Sequence, residues 1–494
     1  MSPTNRKNAA PARGTKAGPA KPPASVSAWQ DDPASGLPVI ARPVPDLASG
    51  TLRFRIKGKA YPPAVGRPGT PPFRYWTAAE ALRRGGDFWA PLLGVDRWKP
   101  GRVLGVSLDK GVDLNAYYDR TELAFFHEKV GSTTYYSGES PDVVCHEMGH
   151  ACLDAHRPEL FDAPFAEAAA FHESFGDMSA MLCALQLPGV RAAALAGLAS
   201  YAASPLSRLA EQLGDALRAV VPNAVAADCL RDACNAFAYV DPQTLPDDAP
   251  ATALSAEPHS FSRVFTGAFY EILSGMLKVR ARKPDAGDLA AVARDFATLL
   301  VAATAEAPVR PDYYAQVAAH IIDADTARFA GKYRGPLTSI FVKRLILPRS
   351  AVQHLGSLTG KAPRAAASGP TIGLRPAAGI REVVLDAREF GLAERKLTVL
   401  ASLEHKSFPS VAAGLGHGSP DTETLERAAR HFVKTLFARN RVDVETGDQN
   451  PAVTAETPRT RLRQTHVLVR TAGGLRLSRR LFHCGCGHRN SGLD

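Results

Sequence analysis

The sequence predicts an α+β protein in three folded parts: a small mixed sheet near the N-terminus, a helical middle, and an additional mixed region at the C-terminus. Three observations lead to this. From Thr51 to about Ser137 the apolar residues come in short alternating runs, and from Ser140 to about 348 they recur at three- and four-residue steps. Around Leu347-Pro348, stretches rich in Ala, Gly and Pro interrupt the pattern. The expected divisions are a tail at 1–35, a sheet portion with its closing helix at 36–157, a helical portion at 158–348, and a basic α+β region of unassigned role at 349–494.

Residues 1–35 are rich in Pro, Ala, Ser and Lys and lack apolar periodicity, so a disordered tail is expected. Leu52–Ile56 alternates as a strand, and Arg102–Leu108 and Glu122–Phe126 follow, with a helix near Thr77–Arg84. Ser140-Pro141 is a helix start, because the hydroxyl can cap and proline has no N–H to leave unpaired at the first helical position. That helix should run to about Asp154. Phe171, Phe175, Met178, Leu182 and Leu185 mark a second helix within 165–187. Further helices are expected near 190–220, 260–278, 286–304, 312–328 and 337–347. In the last region, Leu397–Leu403 reads as a strand, Asp421–Arg439 as an amphipathic helix, and Thr465–Phe482 as a hairpin turning at Gly473-Gly474.

With 494 residues, 45% hydrophobic and 22% charged, the chain can bury ample core without staples. Seven cysteines at irregular spacing fit free thiols in a reducing compartment better than a disulfide framework. The first residues contain no apolar signal segment, and no run of about 18 apolar residues offers a membrane span. The cytoplasm is the expected location, with export by a non-classical route as the alternative. The formal charge of +10 sits at the ends: residues 1–35 hold five Lys/Arg against two Asp, and 361–494 hold 21 against 13 acidic residues. Neither end shows a basic helix with interleaved aromatics, so nucleic acid is not the expected partner, and a nucleic-acid module is the weakest of three functional readings.

The chemistry is concentrated in Val143-Val144-Cys145-His146-Glu147-Met148-Gly149-His150. On a helix, residues four apart share a face, so His146 and His150 can direct imidazole nitrogens at one Zn²⁺ while Glu147 lies beside them. Chance would produce such a match ~0.02 times in a chain of this length, so the motif is informative. A hydrolytic zinc needs a third protein ligand and an open position for water. The candidate is Glu173, in His172-Glu173-Ser174-Phe175-Gly176-Asp177 on the second helix. Asp177, one turn on, is placed to accept from the outer N–H of His146 or His150.

In these residues the chain resembles the thermolysin-like metallopeptidases, the zincin branch with a glutamate as third ligand (gluzincins). The resemblance runs from Asn115 to about Gly275. Asn115-Ala116-Tyr117-Tyr118, followed by Glu122, is similar to that family's substrate-binding edge strand. Asp142–His150, with Asp154, is similar to its zinc helix, and Glu173–Asp177 to its ligand helix. Pro258-His259-Ser260-Phe261-Ser262-Arg263 is similar to the segment that carries a catalytic histidine. The resemblance implies a zincin-type fold and a zinc-dependent endopeptidase acting on a peptide or protein. His146, His150 and Glu173 would bind Zn²⁺, with Asp177 behind a histidine. Glu147 would be the general base, His259 the oxyanion donor, and Asn115 and Ala116 the holders of the substrate backbone.

The chain also departs from that pattern. The position where the family carries an oxyanion-assisting tyrosine is Pro164, next to Phe165. No acidic residue lies between Asp177 and Glu211, so no calcium dependence is expected. The alternative function is therefore a catalytically inactive zincin scaffold that binds a peptide or protein partner. His483-Cys484-Gly485-Cys486-Gly487-His488 gathers two thiols and two imidazoles, but C-x-C without a second C-x-x-C reads as a chain end rather than a structural zinc site. The sequence does not indicate the oligomeric state, the cleavage preference or the role of residues 349–494.

Overall fold

The computed structural model describes residues 25–349 apart from 164, 247 and 248. It also describes 351–352, 380–402, 426, 429–430, 432–434, 436–437, 442–447, 466–479 and 482–483. The chain is a mixed α and β protein with several small sheets.

The first described residues correct the sequence expectation of a disordered tail to residue 35. Ser25–Ala28 (β1) pairs antiparallel with Ile40–Pro43 (β2), and Val26 and Ala28 are buried. The composition misleads because this segment is held by polar contacts. Asp32 accepts from Ser140 Oγ at 2.7 Å and from the backbone N–H of Gln212 at 2.8 Å, which ties the N-terminal arm to two distant parts of the chain. Asp31, Asp32, Asp142 and Glu211 form a buried acidic knot in which Asp31 and Asp142 are hydrogen-bonded to each other. Burial pushes Asp31 and Asp32 up to about 7 and Glu211 up to about 10, with repulsion among the carboxyl groups adding to the rise.

Arg53–Ile56 (β3), Val103–Ser107 (β4), Ala116–Tyr118 (β5) and Glu122–Phe125 (β6) lie in one sheet. β3 and β4 are parallel, β4 and β6 are parallel, and β5 runs antiparallel to β6. The helix expected near Thr77–Arg84 is longer, Pro71–Leu93 (α1). Two prolines start it and Gly94, at φ 65°, ends it in the left-handed region. Gly85 in its interior lets the side chains of Met148 and Cys183 approach its backbone. His127–Val130 (β7) and Thr133–Tyr136 (β8) form a hairpin just before the next helix.

Pro141–His156 (α2) starts at the expected proline, with Ser140 as its N-cap. After the short Glu159–Asp162 (α3) comes Ala166–Ala184 (α4), which is buried almost throughout. The single helix expected near 190–220 is two, Pro188–Ser200 (α5) and Glu211–Val220 (α6). Tyr201, left-handed at φ 54°, ends the first, and Pro205 lies in the break. Arg208–Leu209 (β9) pairs there with Arg231–Asp232 (β10). Pro258–Arg280 (α7), Ala286–Glu306 (α8), Tyr313–Phe329 (α9) and Arg334–Lys343 (α10) complete the helical part. α4 packs between α2 and α7, so the three helices that carry the predicted site residues are immediate neighbours.

Beyond residue 379, Ile380–Asp386 (β11), Lys396–Ser402 (β12), Val442–Gly447 (β13), His466–Thr471 (β14) and Gly474–Arg479 (β15) form a second sheet, in the order β11-β12-β15-β14-β13. The predicted hairpin is β14 with β15; its turn is Ala472-Gly473, one residue earlier than expected, and Gly474 (φ 124°) opens β15 opposite Thr471. Helical residues appear within 426–437. β12 and β15 contact α3. Phe482–His483 (β16) leaves this sheet and joins the first one, beside β5. Among the described residues no single helix is long and apolar enough to cross a membrane.

Candidate metal centre

α2 and α4 approach closely because small residues meet where they face each other. A Cβ on Gly149 would lie 2.6 Å from Ser179 Cβ and 3.1 Å from Gly176 Cα. Ser179 Oγ donates to the carbonyl of Cys145 at 2.9 Å and accepts from Trp89 Nε1 at 3.0 Å, which fixes the pair against α1. At this contact His146 and His150, one turn apart on α2, face Glu173 on α4.

The Nε2 atoms of His146 and His150 are 3.1 Å apart. Glu173 Oε2 is 3.5 Å from the first and 3.7 Å from the second. Ligand atoms of His146, Glu147 and His150 also lie within 4.8 Å of one another, and all three residues are buried. Four ligands at about 2.0–2.1 Å around a tetrahedral zinc are separated by roughly 3.3 Å, so two imidazole nitrogens and one carboxylate oxygen at these spacings fit one ion. The donor set of two neutral nitrogens and one anionic oxygen suits a borderline cation such as zinc, although it does not select zinc alone.

The outer nitrogens of both histidines have partners. His146 Nδ1 is 3.1 Å from Asp177 Oδ1, so of the two histidines considered for Asp177 it is His146 that it contacts here. His150 Nδ1 is 3.4 Å from Nδ1 of His172, a buried residue the sequence reading did not assign. Contacts of this kind fix the ring orientation and tautomer that a metal ligand needs. Arg231 binds Asp177 through Nη2 to Oδ1 at 2.6 Å and Nε to Oδ2 at 3.2 Å, and Thr266 Oγ1 donates to Oδ2 at 3.1 Å. Burial alone would raise the Asp177 pKa, but Arg231 and His146 outweigh it and hold the carboxyl well below the usual range. Asp177 is therefore a permanent anion.

His259 stands in the first turn of α7, whose N-cap is Glu257. Glu257 accepts from the backbone N–H of Ser260 at 3.0 Å and also contacts His259 Nδ1. The other ring nitrogen, Nε2, is 3.3 Å from Glu173 Oε2. Burial disfavours the imidazolium, but Glu173 and Glu257 outweigh burial and raise His259 to about 9. Six of the eight residues singled out from sequence thus converge: His146, Glu147, His150, Glu173, Asp177 and His259. Asn115 and Ala116 lie at the start of β5, which packs against α2. There Asn115 Oδ1 accepts from Ala116 N at 2.9 Å and the Asn115 carbonyl accepts from Ser137 Oγ at 2.7 Å. Tyr118 donates to Asp154 Oδ2 at 2.9 Å, fastening the strand to the last turns of α2.

Arg231, Thr266 and His172 were not found by sequence reasoning. Arg231 lies in a two-residue strand with no periodicity. Its only sequence signal is that a buried Asp177 requires a cation from somewhere. Pro164 and the Cys484/Cys486 pair lie outside the described residues. No protein-family model matches the chain, and no curated protein matches it significantly.

Proposed function

We propose that the chain is a zinc-dependent endopeptidase of the thermolysin-like, zincin kind, hydrolysing peptide bonds with Glu147 as general base. The observation that carries this reading is the convergence of His146 Nε2, His150 Nε2 and Glu173 Oε2, from two helices, to spacings of 3.1–3.7 Å. These three residues would hold the zinc, which would supply Lewis acidity and activate water near neutral pH.

This chain's own residues supply the rest. The Glu147 carboxylate, one residue along from His146, takes a proton from water and passes it to the leaving amine. Gln at 147 could hold water but could not accept its proton. His259, held by Glu257 at Nδ1, would direct its other ring nitrogen as a hydrogen-bond donor toward negative charge developing on the carbonyl oxygen. Asp177, kept anionic by Arg231, holds the imidazole of His146 in the tautomer that leaves Nε2 available. The mixed sheet beside the paired helices is compatible with the zincin arrangement, and β5, whose outer edge carries the two-residue β16, is the strand with which an extended peptide would pair.

The test is metal analysis combined with casein or peptide cleavage. The expected result is about one zinc per chain, lost in Glu173→Ala, with cleavage abolished by chelator and by Glu147→Gln while that variant keeps its zinc. Purified protein that takes up no zinc would overturn the proposal. Zinc without cleavage of any peptide would favour the inactive scaffold, the reading to which Pro164 in place of a tyrosine points.

A further inference from the structure

We infer that the outer edge of β5 is a strand-addition groove whose resident occupant is the chain's own C-terminal strand, Phe482–His483, and that this strand blocks the approach of substrate. The second half of this inference rests on the peptidase reading above; the first half does not.

Without β16 the first sheet would be β5-β6-β4-β3, with β5 as an edge strand. An open edge presents unpaired N–H and C=O groups and invites an extended peptide. Here the edge is taken. Phe482 pairs with Tyr118 and His483 with Tyr117, antiparallel, so the tail runs along β5 in the direction of Ala116 and Asn115. Asn115 is 1% exposed and Ala116, Tyr117 and Tyr118 are each 0% exposed, so the strand is buried on its faces, and at Tyr117 and Tyr118 it is paired on both edges. The proposed catalytic residues are buried in the same structure, with Glu147, His150 and Glu173 at 0% exposure and His146 at 4%.

The C-terminal region is built to deliver this strand. Only Arg480 and Leu481 separate β15 from β16, and β15 belongs to a five-stranded sheet that rests on α3 through β12 and β15. The sheet therefore serves as the anchor and the last strand as the plug. A two-residue ladder is short, so a longer extended peptide pairing with the whole of β5 can displace it.

The experiment compares the zinc-loaded full-length protein with the full-length double variant Phe482→Pro/His483→Pro, since proline removes the backbone donors of the added strand. Two readouts are taken: amide hydrogen exchange over residues 115–118 and hydrolysis of a quenched fluorescent peptide. The expected result is roughly tenfold faster exchange at the β5 amides facing the tail and roughly tenfold faster hydrolysis. Both should be reversed by adding a synthetic peptide with the sequence of residues 480–486. Unchanged exchange would overturn the occupancy. Faster exchange with unchanged hydrolysis would overturn the block. Zinc-loaded protein that hydrolyses nothing in either form would overturn the peptidase reading alone, and exchange would still decide the occupancy. A chain ending at Arg480 gives the same comparison if the proline variant does not fold.

Discussion

Gly176 faces the imidazole of His146 so closely that a Cβ at 176 would lie 2.6 Å from His146 Cε1 and 2.8 Å from its Nε2. The glycine is thus a condition for the orientation of a proposed ligand, although it carries no chemistry itself. Gly176→Ala should push the ring off its position relative to Glu173. Metal affinity is expected to fall at least tenfold, read by competition with a chelator, and thermal stability to fall by about 1–3 kcal/mol from overpacking.

His172 should act through His150. Replacing it with Phe keeps the volume but removes the nitrogen 3.4 Å from His150 Nδ1. Metal affinity should fall about 10–100-fold, as when the partner behind a ligating histidine is removed. The check is zinc titration of the metal-free protein, with circular dichroism confirming that the fold is kept.

Arg231 neutralises a carboxylate that burial would otherwise protonate. Arg231→Met leaves Asp177 without its bidentate partner in a buried site, and breaking such a pair should destabilise the protein by about 3–5 kcal/mol. Asp177→Asn/Arg231→Met should regain part of the stability lost in Arg231→Met, because no buried charge is then left alone. Chemical denaturation of both variants and of the parent protein tests this.

The acidic knot predicts an unusual pH profile. Asp31 and Asp32 titrate at about 7 in the folded protein and near 4 when unfolded, so between these values the folded state holds protons the unfolded state has lost. Their contribution to stability is full below pH ~4 and falls as pH rises toward 7, and Glu211 extends the fall toward 10. Arg84 and Arg208 moderate the repulsion without removing it. Asp31→Asn should flatten the decline between pH 5 and 8 and stabilise the protein at pH 8 by on the order of 2 kcal/mol. Melting temperatures measured across that range decide it.

The two helices that carry the proposed ligands, α2 and α4, were legible in the sequence because their signals are local. Ser140-Pro141 marks a start, and His146/His150 and Glu173/Asp177 each repeat at one helical turn. What stayed hidden depends on contacts across long separations. Asp31 and Asp32 sit in a stretch whose composition suggests disorder, yet their partners Ser140, Asp142 and Gln212 lie more than a hundred residues away. Arg231 and His172 carry no pattern, and the pairing of Phe482 with Tyr118 joins segments separated by most of the chain. α1 was underestimated because Gly85 and Gly86 lower helix propensity, whereas packing against Met148 requires a glycine at 85.

The contact of α2 with α4 through Gly149, Gly176 and Ser179 is made by protein atoms alone. On the proposed reading, this helix packing is what would hold the donors at 146, 150 and 173 at their mutual spacing. Capture of the ion then freezes few additional motions, and loading should proceed at the pace of diffusion and dehydration without waiting for the backbone to rearrange.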